Sequence, residues 1–228
     1  FTLSNCINSG LRRIFVLTQY KSASLQRHIR LGWNILPSEL GQFIELLPAQ
    51  QRVGESWYLG TADAIYQNLY TIDEEKPDEV LILSGDHIYK MNYYQMIDYH
   101  RRLGADLTIG IVELEKEKAV SLGMVEIDSS FRIINFREKP SWDEINSLNR
   151  EKVYVSMGIY VFNREILKSQ LIEDSQDQNS THDFGKDILP KMLKKNFKIY
   201  GYNFIDENRK KTQYWRDIGT IDAYYEAN

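Results

Sequence analysis

The sequence predicts an α/β fold with a mixed, mostly parallel sheet and helices on both faces. Three observations lead there. Short apolar runs (Ile14–Thr18, Val80–Leu83, Asp106–Leu114) alternate with helical stretches in the first half. That alternation specifies a parallel sheet covered on both sides. Hairpin patterns in the second half then add antiparallel strands. Finally, 228 residues suit one large domain that buries its own core.

Taken in order, Phe1–Ile7 reads as the body of a helix. Ile14–Thr18 (IFVLT) is apolar and β-branched, which marks a buried strand. Ser22–Arg30 has helical spacing, and Thr61–Ile72 is a helix opened by Gly60 and Thr61. Val80–Leu83 is a second buried strand running straight into Ser84-Gly85-Asp86-His87. Asn92 caps a helix that closes at Gly104. Gly123–Ile127 and Arg132–Arg137 form a hairpin around Asp128-Ser129-Ser130. Residues 141–152 read as a connection or short helix. Val153–Phe162 is a strand followed by a helix capped by Asn163, and residues 173–183 (EDSQDQNSTHD) are the expected mobile loop. Phe184–Lys195 is helical, Lys198–Phe204 a strand and Thr220–Ala227 a helix.

Bulk properties narrow the function. The net charge of -4 gives no basic field for nucleic acid. No apolar run reaches the ~18 residues that a membrane span needs. The single cysteine, Cys6, excludes an internal disulfide and reads as a small packed residue; a reducing cytoplasm is expected.

Several residues stand where ligands bind. Asp86 follows a strand's carboxyl end after a glycine, a common place for Mg²⁺ on a phosphate. Asp217 precedes Gly219 and the helix-capping Thr220, and could complete a carboxylate pair or simply cap the helix. Glu138 and Lys139 leave a strand that Pro140 ends; Lys suits a phosphate and Glu the hydroxyls of a sugar. Gly60 and Thr61 offer free backbone N–H groups at a helix start, and Trp57 and Tyr58 could wall a pocket. Gly158 inside a strand suggests close backbone approach, with Ser156 beside it. The His182-Asp183 pair lacks partners for a zinc site or a catalytic triad.

Eight segments, read in order, resemble the glucose-1-phosphate adenylyltransferase family of the bacterial glycogen pathway and its plant starch counterpart. They are LSNCINSG (3–10), LPAQQR (47–52), WYLGTADA (57–64), GDHIY (85–89), FREKP (136–140), SMGIY (156–160), HDFGKD (182–187) and YWRDIGT (214–220). The resemblance implies a Rossmann-like nucleotide-diphospho-sugar transferase fold. It also implies transfer of adenylyl from ATP to α-D-glucose 1-phosphate, giving ADP-glucose and pyrophosphate with Mg²⁺. By match, Asp86 and Asp217 would hold the metal, and with Lys139 they form the expected catalytic set. Lys139 would hold the sugar's phosphate; Glu138, Ser156, Gly123 and Tyr58 would bind the sugar phosphate. Gln50, Gly60 and Thr61 would lie on the adenine side, and Gln19 and Trp57 would relay allosteric signals. Leu59 stands where family members often carry Arg or Gln. The family is typically homotetrameric and cytoplasmic. Its GGxGxRL phosphate loop normally precedes residue 1, and a left-handed β-helix domain follows, so residues 1–228 are expected to be the nucleotidyltransferase domain without either. Two alternatives stay open at this point: a catalytically deficient homologue or assembly subunit, and a related transferase using another base.

Overall fold

A computed structural model describes residues 1–49, 57–206 and 211–227. Helix α1 (Thr2–Asn8) leads into strand β1 (Arg13–Thr18), helix α2 (Ala23–Gly32) and strand β2 (Phe43–Pro48). Helices α3 (Thr61–Tyr66) and α4 (Leu69–Glu75) follow, then β3 (Glu79–Leu83), β4 (His87–Tyr89) and α5 (Tyr93–Leu103). Next come β5 (Leu107–Glu115), α6 (Lys116–Ala119), the hairpin β6 (Gly123–Ile127) and β7 (Ile133–Glu138), α7 (Trp142–Asn146) and the long β8 (Lys152–Asn163). Helix α8 (Arg164–Ser175), a π-helical turn (Phe184–Ile188) running into α9 (Leu189–Lys194), and β9 (Ile199–Asn203) complete the main body. Short strands β10 (Ile205–Asp206), β11 (Lys211–Thr212) and β12 (Trp215–Asp217) precede α10 (Ile221–Glu226).

Local chemistry accounts for most boundaries. The Asn92 side chain accepts from the Tyr94 N–H, and α5 ends on Gly104 at φ +55°. Ser141 and Glu144 make a reciprocal capping box on α7. In the β6–β7 turn, Asp128 Oδ1 accepts from Ser130 N, Ser130 Oγ and Arg132 N. The single helix expected over Thr61–Ile72 is broken in two. Asn68 Nδ2 donates to the Ala64 carbonyl at 2.8 Å, a side-chain bond that competes with the backbone ladder. Asn163 begins α8 without a side-chain cap. Strand β2 was not marked by any sequence signal; Glu45 and Pro48 interrupt its apolar pattern.

The main sheet has six strands. β8 runs antiparallel to β3, β5 and β6, while β9 lies parallel to β5 and β7 closes the hairpin with β6. Thus β3, β5, β6 and β9 share one direction. β1 and β2 pair in parallel as a sheet of their own. Period-two alternation divides β8 between two cores. Val153, Val155, Met157, Ile159 and Val161 pack with Tyr93 and Met96 of α5. Tyr160 and Phe162 pack with Leu107, Ile109, Leu167, Phe184 and Met192 on the other face. Helices therefore cover both faces. Cys6 lies in the first core, where burial pushes its thiol up to about 12, so it packs rather than reacts.

Candidate active site

The antiparallel pairing of β4 with β12 joins the two carboxylates that the sequence could not bring together. Asp217 lies opposite His87, and the Ile218 N–H donates to the Asp86 carbonyl at 2.9 Å. Ligand atoms of Asp86, His87 and Asp217 all fall within 4.8 Å of one another. A Cβ on Gly219 would sit 3.1 Å from Asp217 Oδ1 and 3.8 Å from Asp86 Oδ2, so glycine keeps the space beside both carboxylates clear. The Gly219 N–H also fixes Asp217 by donating to Oδ1 at 2.7 Å. Two carboxylates and an imidazole around such a gap form a donor set that can hold a divalent metal.

Gly158 connects this corner to Ser156. Between Ile109 and Ile111 the β5–β8 register shifts, and β8 bulges there. Gly158 sits in that bulge at φ +66°, with its missing Cβ 3.0 Å from Ser84 Oγ and 3.3 Å from His87 Cε1. The close approach expected at Gly158 is therefore to the Ser84–His87 turn. Ser156 Oγ accepts from the Gly158 N–H at 3.2 Å and also hydrogen-bonds the Tyr160 hydroxyl.

Tyr160 leads on to Glu138. Burial raises the Tyr160 hydroxyl to about 12, with Glu138 and Asp183 adding negative charge nearby. Glu138 stands opposite Gly123 at the end of β7. A Cβ on Gly123 or on Gly185 would come within 2.9 Å or 2.5 Å of Glu138 Oε2, so both glycines leave room for that carboxylate. Burial, then Asp183, raises the Glu138 pKa, while Lys139 and Lys186 oppose the shift. Lys139 is exposed and holds a left-handed φ of +48° immediately before Pro140. Such a conformation is disfavoured for a side-chain-bearing residue, and strain of this kind concentrates at functional sites.

The third corner is the start of α3. Thr61 Oγ1 donates to Asp183 Oδ2 at 3.1 Å, and the Ala62 N–H donates to the His182 carbonyl at 2.8 Å. The free N–H groups expected at this helix start are thus partly taken by the protein itself. A Cβ on Gly60 would lie 2.3 Å from the His182 carbonyl oxygen, so this glycine admits residues 181–182. Tyr58 accepts at its hydroxyl from Asn68 Nδ2. Trp57 is 49% exposed; Gln19 follows β1 on the other sheet; Gln50 lies outside the described residues.

Contacts link Thr61 to Asp183, and Tyr160 through Ser156, Gly158 and His87 to Asp86 and Asp217; Glu138, beside Gly185, stands between the two runs, close enough for its charge to be felt by Tyr160 and to feel that of Asp183. Asp183, Gly185, Tyr160, His87 and Gly219 are the members that residue-level reading missed. Each lies inside a motif segment already noted, and only the fold shows which side of the segment faces the site. Loop 173–183, expected to be mobile, is instead pinned. Helix α8 continues to Ser175, and Asp174, Asp177 and Asp187 accept bonds from the rest.

Sheet-end carboxylates, phosphate-suited lysine and glycine-cleared space together describe an enzyme that handles phosphates. The family model for nucleotidyl transferases matches residues 1–228, and the chain belongs to that family. Among curated relatives, the chain is 55% identical over 229 residues to a glucose-1-phosphate adenylyltransferase of Koribacter versatilis, covering all of this chain and 55% of that protein. It is 48% identical to the Rhodopirellula baltica protein of the same name, covering 51% of it, and 47% identical to that of Nitrosococcus oceani, covering 54%. The chain spans about half the length of the curated relatives it matches. No helix among the described residues is long and apolar enough to cross a membrane.

Proposed function

We propose that residues 1–228 form the nucleotidyltransferase domain of a glucose-1-phosphate adenylyltransferase. The reaction joins ATP and α-D-glucose 1-phosphate into ADP-glucose, releasing pyrophosphate. The observation that carries this reading is the Asp86–Asp217 pair, joined by the β4–β12 ladder at a gap kept clear by Gly219. Asp86 and Asp217 would hold Mg²⁺, with His87 at the edge of the gap. Bound there, the ion supplies positive charge to the triphosphate.

Each residue then has a physical task. Lys139 holds the phosphate of the sugar phosphate as a point charge. Glu138, Ser156 and the backbone at Gly123 orient the sugar, and the Glu138 carboxylate accepts from its hydroxyls. Tyr58 is assigned to the sugar phosphate as well, and Gly60 and Thr61 wall the adenine side. A phosphate oxygen of glucose 1-phosphate attacks the α-phosphorus of ATP, the bond to the bridging oxygen breaks, and pyrophosphate leaves. No protein nucleophile is required, so the chain contributes positioning and charge. Gln19 and Trp57 are assigned to allosteric relay, and the assembled protein to a cytoplasmic tetramer; both assignments rest on the family resemblance.

The test is Asp86→Asn in the complete protein. Pyrophosphate release from ATP and glucose 1-phosphate should fall by about 10²-fold or more. Activity within a few-fold of wild type would sink the metal assignment, and faster turnover with UTP or dTTP than with ATP would overturn the choice of base.

A further inference from the structure

Asp174 belongs to none of these sites, yet it is among the most thoroughly satisfied carboxylates in the structure. It lies in the last turn of α8 and is 2% exposed. Its Oδ1 accepts from Ser180 Oγ at 2.7 Å and Lys191 Nζ at 3.0 Å, and its Oδ2 meets His182 Nδ1 at 2.8 Å. Lys191 Nζ also donates to Asp177 Oδ2, and the His182 N–H donates to Ser180 Oγ. A buried charge is costly unless it is paired and hydrogen-bonded, so this one fixes its neighbours firmly.

What it fixes is a four-residue strap, Ser180–Asp183. On its back, Ser180 and His182 reach Asp174. On its front, the His182 carbonyl takes the Ala62 N–H, and Asp183 takes the Thr61 hydroxyl. His182 holds a left-handed φ of +56°, which turns its ring toward Asp174 while its carbonyl faces α3. The second Asp183 oxygen accepts from the Gly185 and Lys186 N–H groups, and Gly185 borders Glu138. One strap thus touches both the Gly60–Ala62 helix start and the Glu138 pocket.

We propose that Asp174 is a positioning residue: through Ser180 and His182 it holds the strap that sets the nucleotide side and the sugar-phosphate side of the site relative to each other. This rests on the function proposed above. Asp174 touches neither substrate and leaves the Asp86–Asp217 corner alone. Its loss should therefore weaken binding of both substrates together, with the chemical step less affected.

The experiment uses the complete protein and the variants Asp174→Ala, Asp174→Asn and His182→Asn. Asparagine tolerates the left-handed backbone that residue 182 requires. Asp174→Ala should raise KM for ATP and for glucose 1-phosphate in parallel, by about tenfold or more, with kcat within about threefold. Asp174→Asn, which keeps the shape and an acceptor, should recover most of that loss, and His182→Asn should fall between. Hydrogen exchange at the Ala62 N–H should quicken in Asp174→Ala while the β5 amides stay protected. Unchanged KM values in a folded Asp174→Ala protein would overturn the proposal, as would a rise confined to one substrate or unaltered protection at Ala62. If Asp174→Ala does not fold, His182→Asn carries the same KM and exchange tests. A wild-type protein that releases no pyrophosphate from these two substrates would refute the proposed function instead, and the exchange result would still decide whether Asp174 holds the strap.

Discussion

β1 and β8 are both apolar strands, yet they lead different lives. β8 is hydrogen-bonded along both edges and covered on both faces; Val155, Met157, Ile159, Val161 and Phe162 are sealed from solvent. Among the described residues β1 pairs only with β2, and Ile14, Phe15, Val16 and Leu17 are all half-buried. Around it, Leu31, Ile35 and Leu40 face solvent, and a cavity of about 680 Å³ lies between α2 and β2. β3 falls between the two, bonded to β8 on one edge and half-buried throughout. An apolar run states that a strand is to be covered; pairing and packing decide how far that is achieved. The carboxylates, glycines and tyrosine of the site all stand on or against the β8 half. There, supporting side chains are locked by packing, and geometry can be held closely.

That contrast can be broken by mutation. Phe162→Ala should cost about 3–5 kcal/mol in urea unfolding, because a fully buried ring leaves a cavity. Phe15→Ala removes the same ring from a half-buried place and should cost no more than about half as much. Equal costs would show that β1 is as well packed as β8. A smaller effect of opposite sign is expected at Thr18, whose buried hydroxyl has no hydrogen-bond partner among the described residues. Thr18→Val should stabilise by up to about 1 kcal/mol, since it removes an unsatisfied polar atom at nearly constant volume. A loss of stability there would mean that the hydroxyl finds a partner in solution.

Much of the fold was legible because local signals agreed with it. Asn92 and Gly104 bracket α5 as expected, and Asp128-Ser129-Ser130 turns the β6–β7 hairpin. β2 was not legible, since Glu45 and Pro48 disguise a six-residue strand whose partner, β1, is supplied by tertiary pairing. The break at Asn68 was missed because a side chain's choice between backbone and solvent is set by its surroundings. Within the site, residue types and their segments could be read, but not their meeting. Asp86 and Asp217 are joined by a ladder of three residue pairs, too short to announce itself as β4 and β12. Asp183 was read as half of an unpromising His-Asp pair. Its role becomes visible only when the π-helical turn and α3 place Thr61 and Glu138 around it.

Glu138 gives the smallest effect and tests whether the well-packed half carries a cost for its site. Burial, followed by Asp183, lifts its pKa above the ordinary glutamate value, against the pull of Lys139 and Lys186. A carboxyl raised by folding favours the folded state while it is protonated. That contribution is full below the unfolded pKa and is lost as pH rises through the unfolded and then the folded value. At neutral pH the ionised Glu138 is therefore a standing cost to stability. Glu138→Gln keeps the shape between Gly123 and Gly185 and removes the charge. It should raise Tm at pH 7 by about 1–2 °C, and the gain should vanish near about pH 3.5, where the wild-type carboxyl is protonated in both states. In the complete protein the same change should weaken glucose 1-phosphate binding, because the amide accepts less strongly from the sugar hydroxyls. A Tm that falls at pH 7 but is unchanged near about pH 3.5 would mean that the Glu138 charge is welcome in the fold, and that Lys139 and Lys186 outweigh burial and Asp183.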